Sequence, residues 1–114
     1  MVMTDVGLNE LAERFASDVT EGQWGTGTND PTVSDTGLQT AVSSTLASLS
    51  ATSSGNTSQF THLVPSTTAN GLSLTEFELR FDDGTNFSRT LGGSVNKNAS
   101  FELVTISTIS FVRQ

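Results

Sequence analysis

The side chains in this sequence that could do chemistry are few and thinly spread. His62 is the one histidine and there is no cysteine. Thiolate nucleophiles, thiolate metal sites and disulfides are therefore excluded, and Ser–His, paired-His metal and His-relay arrangements are left short of a member. His62 lies in an alternating stretch with Phe60 and Val64, where a lone histidine is a packed or surface residue rather than a catalyst. Glu76 and Glu78 stand i and i+2 on an expected strand, on one face, but a glycosidase pair would also need a cleft around them. Asp82, Asp83 and Asn86 are the weak metal candidate, with oxygen donors for Ca²⁺. Two carboxylates before Gly84 are also ordinary hairpin composition, and EF-hand spacing is missing. Trp24-Gly25-Thr26-Gly27-Thr28-Asn29-Asp30-Pro31 is Gly-rich, which invites a phosphate cradle. No Lys follows at P-loop spacing, no GxGxxG forms, and Asp30 would repel phosphate. A structured loop pinned by Trp24 is expected instead. Glycosylation sequons begin at Asn56, Asn86 and Asn98, each at a turn or strand edge where modification is physically allowed. In a chain with 16 Ser and 18 Thr, that number of sequons is what chance supplies. The expected cofactor complement is none, and an enzyme is not expected.

Composition narrows the partners. The 114 residues carry 12 acidic and 5 basic side chains, a net charge of −7. That balance argues against nucleic acid or an anionic membrane as a partner. The length suits one domain, and with 34% hydrophobic residues the buried core is modest, so completion by an oligomer is attractive. The N-terminus has no basic n-region and no apolar h-region, and no apolar run approaches the roughly 20 residues of a membrane helix. The expected product is a soluble cytoplasmic one that reaches the outside by lysis or within a particle. One Lys against four Arg, with acidic excess and abundant Thr, suits a halophilic source.

The elements that must position these groups follow from periodicity. Leu8, Leu11, Ala12, Phe15, Ala16 and Val19 recur at three- and four-residue spacing and predict a helix over 4–20, capped by Thr4 or Asp5 and stopped by Gly22. Its apolar stripe is either a docking face for another subunit or the face that packs on its own sheet. Residues 22–42 read as a loop followed by a short helical turn from Asp35 through Leu38, Ala41 and Val42. Residues 43–114 read as a small antiparallel β-sandwich, jelly-roll-like, giving a mainly β fold class with an N-terminal α-helix. Its expected parts are a strand over 43–50, a loop tip over 52–57, a returning strand over 59–64 stopped by Pro65, and a turn over 67–71. A phase slip near Thr75-Glu76 predicts a β-bulge in the next strand, which Asp82-Asp83-Gly84-Thr85 folds onto 87–91. Gly92-Gly93-Ser94 is read as a break. The last strand, 101–111, has apolar residues on both faces and is expected to be central or sandwiched.

One ordered series of fragments rises above composition: Val6-Gly7-Leu8-Asn9-Glu10-Leu11-Ala12, then Gly25 to Pro31, Asp35-Thr36-Gly37-Leu38, Val64-Pro65-Ser66, Ala69-Asn70-Gly71, Leu74 to Asp82, Arg89 and the terminal 101–111 strand. The series resembles small tail-fibre or baseplate-associated structural proteins of tailed viruses. Their pattern joins a GLN-x-L-A helix, a GTGTTAP…DT-x-L loop, an ANG-x-x-LTE-x-GLF strand and a final β-strand. This chain departs from that pattern at Glu78, where the pattern has Gly, and at Thr20 to Trp24, where it has an apolar strand. The resemblance implies a non-enzymatic structural component of a virus particle, in the tail, baseplate, fibre or a capsid-surface decoration. It would be made in the host cytoplasm and act through a symmetric homo-oligomer and other virion proteins. With the salt-adapted composition, a haloarchaeal virus is the implied source. The expected interface residues are Leu8, Leu11 and Phe15 of the helix, and Trp24, Thr26, Thr28 and Pro31 of the loop. The alternative is a host-recognition module that binds a surface glycan.

Overall fold

A computed structural model describes residues 1–113. Helix α1 (Asp5–Asp18) begins where Thr4 Oγ1 accepts the Gly7 N–H at 3.0 Å. It stops short of residue 20 because the β-branched pair Val19-Thr20 passes directly into strand β1 (Val19–Gly25). A 3₁₀ turn (Ser43–Thr45) leads to β2 (Ala47–Ser48) and β3 (Ser50–Ser54). The remaining strands are β4 (Thr57–Val64), β5 (Ser73–Phe81), β6 (Asn86–Asn96) and β7 (Leu103–Ser110). They form two antiparallel sheets, β2-β1-β5-β6 and β3-β4-β7. The fold is mainly β, a sandwich-like pair of sheets with an N-terminal helix, as the sequence leads one to expect.

Val19, Trp24, Phe60, Val64, Leu74, Phe77 and Leu79 fill the space between the sheets. The helix closes one end of that space. Phe15 meets the rings of Phe60, Phe81, Phe87 and Phe111 edge-on, with centroids 4.7–6.3 Å apart, a favoured aromatic geometry. Ser58, buried on the inner face of β4, donates its hydroxyl to the Ala12 carbonyl at 2.6 Å and ties helix to sheet.

Several expectations need correction. Gly22 does not stop the helix; it lies in β1, which runs between β2 and β5. A Cβ there would stand 2.9 Å from both His62 Cδ2 and Phe77 Cζ, so the sheets approach too closely for any side chain. The expected loop thus starts at Thr26. No helical turn follows Asp35, whose carboxylate accepts the Thr32 N–H and hydroxyl at 2.9 and 3.0 Å and closes a turn instead. The expected strand over 43–50 divides into the 3₁₀ turn, β2 and the step across to β3, and most of the expected loop tip at 52–57 is strand. The turn itself is Gly55-Asn56, with Gly55 at φ 57°. The bulge is present as a register shift between Leu74 and Glu76, and Gly84 takes φ 87° in the following hairpin. Gly92 and Gly93 do not end β6, which runs through them, but its pairing with β5 is interrupted there, Leu91 facing Glu76 and Val95 facing Leu74. The final strand, β7, is not central but an edge strand, with its alternate residues exposed.

Candidate functional site

The bulge sets Glu76 and Glu78 on the outer face of β5, opposite the core residue Phe77. Glu76 is fully buried. Its Oε2 accepts the N–H groups of Gly27 and Thr40 at 2.7 and 2.9 Å. Its Oε1 accepts the Gln39 N–H and Arg89 Nε, both at 2.8 Å. Arg89, on β6, continues outward to Asp35 Oδ2 at 3.1 Å and the Asn29 carbonyl at 2.6 Å. One carboxylate and one guanidinium therefore hold both limbs of the loop that joins β1 to the 3₁₀ turn. Built onto Gly25, a Cβ would lie 2.6 Å from Glu76 Oε2, and one on Gly27 would also collide with that oxygen. The Gly-Thr-Gly spacing does cradle an anion, and the anion is the chain's own Glu76.

The electrostatics separate the two glutamates. Burial alone would raise the Glu76 pKa, but Arg89 and the N–H groups of Thr40, Gln39 and Gly27 outweigh it and hold the carboxyl below the usual glutamate range. Glu78 is pushed up by burial, which the Asn86 amide, 2.7 Å from its Oε2, and Arg80 only partly offset. Hydrogen bonds from Thr32, with Arg89 beside them, hold Asp35 low. Glu76 thus stays ionised, enclosed and fully engaged, an arrangement that fixes a loop rather than meets a substrate. Outside it, Asn29, Asp30, Thr32, Thr36 and Gln39 line a shallow groove of about 420 Å³.

The other sequence-selected residues are placed as follows. His62 is buried with Nε2 2.8 Å from the Thr45 carbonyl, so Nε2 carries the hydrogen, while Nδ1 is buried without a partner. Burial holds its pKa below the usual histidine value. Asp82, Asp83 and Asn86 are not brought together: Asp83 Oδ1 accepts the Thr85 N–H at 2.9 Å, and the Asn86 amide turns to Glu78 and the Ser88 carbonyl. Among the described residues no cluster of three His, Asp or Glu side chains is placed to hold a metal ion. Of the sequon residues, Asn56 donates to the Phe111 carbonyl at 2.7 Å and Asn86 is occupied as above. Asn98 is exposed, its Oδ1 accepting the Ser100 N–H. Of the expected interface residues, Leu8, Phe15 and Trp24 pack inside the chain, Thr26 is half-buried, and Leu11, Thr28 and Pro31 are exposed. Trp24 lies in β1, and its indole N–H donates to Thr105 Oγ1 across the sandwich at 3.2 Å. The loop is therefore pinned by Glu76 and Arg89, not by Trp24.

Sequence reasoning missed three features. Arg89 is the partner that makes Glu76 a clamp. Lys97 is buried, its Nζ donating to Asn70 Oδ1 and the Asn98 carbonyl, both at 3.0 Å, and 5.3 Å from the Phe101 ring centre. The third is a surface. Strands β3, β4 and β7 contain no Asp, Glu, Lys or Arg at all. On the outer face of that sheet Leu63, Val104 and Ile106 are 43%, 51% and 60% exposed among Thr, Ser and Gln. The signal was available as the stretches 36–75 and 103–112, neither of which holds an Asp, Glu, Lys or Arg.

Among the described residues no helix is long and apolar enough to cross a membrane. Comparison with protein families, with curated proteins and with solved structures returned no match.

Proposed function

We propose that this chain is a non-enzymatic structural subunit that works by assembling with copies of itself, as a component of a tailed virus particle in its tail, baseplate, fibre or capsid surface. The observation that carries the assembly reading is the uncharged three-stranded sheet. A chain with net charge −7 repels its own copies over most of its surface, and here that repulsion is absent. Exposed apolar side chains and an open strand edge lie on the same sheet, features that monomeric proteins blunt. The Glu76–Arg89 clamp supports the non-enzymatic part of the reading, since its carboxylate and guanidinium are engaged by the chain's own loop. The virion setting rests on the ordered series of fragments described for the sequence.

Mass measurement and negative-stain imaging of the purified protein at high salt, with mass spectrometry of purified particles, test this reading. A defined oligomer and the chain in the particle fraction are expected; a strictly monomeric species at high concentration overturns it. The groove lined by Asn29, Asp30, Thr32 and Thr36 favours a second reading, a glycan-binding module on the virion surface, because amides, hydroxyls and carboxylates match sugar hydroxyls. A glycan array separates the two. Binding abolished by Asp30→Ala supports the second reading, and intact assembly with no binding leaves the structural role alone.

A further inference from the structure

We infer that the free edge of β7 is the self-association site, and that two copies join there as antiparallel strands about a two-fold axis at Ser107, making one continuous sheet from the two three-stranded ones. This rests on the assembly reading above and says where and in what register assembly occurs.

Backbone geometry assigns the edge. β7 pairs with β4 without a register shift from Thr57↔Ser110 to Val64↔Leu103. One residue beyond, the Phe111 N–H donates to the Asn56 carbonyl at 2.9 Å, so 56 and 111 form a hydrogen-bonded pair in the same register. Such pairs alternate along an antiparallel ladder. Leu103, Thr105, Ser107 and Ile109 therefore direct their backbone groups at β4, and Val104, Ile106, Thr108 and Ser110 direct theirs at the open edge. Among the described residues no strand lies beyond them.

The other edges are managed. β6 is interrupted by register shifts at Leu74/Glu76 and Leu79/Arg80, which twist it. β3 is shorter and packs beside α1, and β2 is only two residues long. β7 has no bulge, proline or charge, the devices that prevent edge pairing.

A second copy is the fitting occupant. A chain with charged flanks gains nothing from an edge and face without charge, whereas an identical strand meets no like-charge repulsion there. A two-fold axis at Ser107 pairs Val104 with Ser110 and Ile106 with Thr108 of the other copy, so every outward-directed residue of β7 finds a partner. Other centres leave some unpaired. The strand is about 27 Å long, and a strip of that length about 10 Å wide covers well under the roughly 800 Å² per partner of a stable interface. Association of one pair is therefore weak, in the micromolar range or above, unless further contacts close a larger assembly.

The test uses the full chain in sedimentation velocity from roughly 1 µM to 1 mM. Thr108→Pro removes an N–H that faces away from β4 and so leaves the fold's own ladder intact; Ile106→Lys puts a charge on the joined face. Wild-type protein is expected to self-associate, and both variants to sediment as monomers with thermal midpoints at low concentration within a few degrees of wild type. Ser107→Cys, in a chain with no other cysteine, is expected to oxidise to a covalent dimer much faster than Ser94→Cys on β6. A wild-type monomer throughout overturns both this site and the assembly reading. A wild-type monomer that binds an unrelated strand peptide does so as well, assigning the edge to another partner. An oligomer that persists in both variants overturns the β7 site alone. Dissociation in the variants, with Ser107→Cys oxidising no faster than Ser94→Cys, overturns the register.

Discussion

Glu76 behaves as a ligand bound by its own chain. With four donors on two oxygens it leaves no orphaned polar group, the condition under which a carboxylate can be buried. Glu76→Gln keeps the shape but places an NH₂ among those donors and removes one of the two counter-charges of Arg89, leaving Asp35. The expected cost is about 3 kcal/mol, read as a fall of roughly 10–15 °C in thermal midpoint, with faster amide exchange at Gly27, Gln39 and Thr40. Because its folded pKa is held below the unfolded value, the Glu76 contribution is full above the unfolded pKa and is lost as pH falls through the folded one. His62 has the opposite charge and the same direction. Its pKa is lowered by burial, so stability is full above the ordinary histidine value of 6.5 and declines as pH falls from there toward the folded value. An NMR titration is expected to find a His62 midpoint below 6.5, and a midpoint at or above 6.5 would contradict the packing described. The special character of Gly25 and Gly27 was legible in the sequence. Their anion was not, because Glu76 lies 49 residues from Gly27 and local spacing carries no record of that meeting.

At the level of elements, the helix was legible and the strand after it was not. The same three- and four-residue spacing that marks α1 places Leu8, Ala12 and Phe15 on its packed side. Phe15→Ala is expected to cost about 3 kcal/mol, since one ring serves both sheets and the C-terminal Phe111. Leu11→Ala, at a side chain 42% exposed, is expected to cost under about 1 kcal/mol. Chemical denaturation of the two variants checks the pair of values, and equal losses would mean that the helix docks by a different face. β1 was hidden by its glycines, which read as stops in one dimension and are close approaches in three. β7 was recognised as a strand but expected to be central or sandwiched, whereas it lies at a sheet edge with alternate residues exposed. Apolar residues on both faces mark equally a strand covered on both sides and one whose second cover comes from outside the chain.

For the whole molecule, one sheet is charged and the other is not. The four-stranded sheet carries Glu21, Glu76, Glu78, Arg80 and Arg89 on its strands, while the three-stranded sheet carries no Asp, Glu, Lys or Arg. The total charge and the low apolar content were readable from composition. Their segregation depends on which strands pair, and so required the topology. If assembly proceeds through the uncharged sheet, salt has no attraction to screen there and only repulsion between the acidic remainders to relieve. Sedimentation equilibrium of the unaltered chain between about 0.1 and 2 M NaCl tests this most directly. The account predicts a concentration-dependent oligomer whose association is unchanged or strengthened as salt rises. A monomer at every concentration, or an oligomer that dissolves as salt is added, would contradict it.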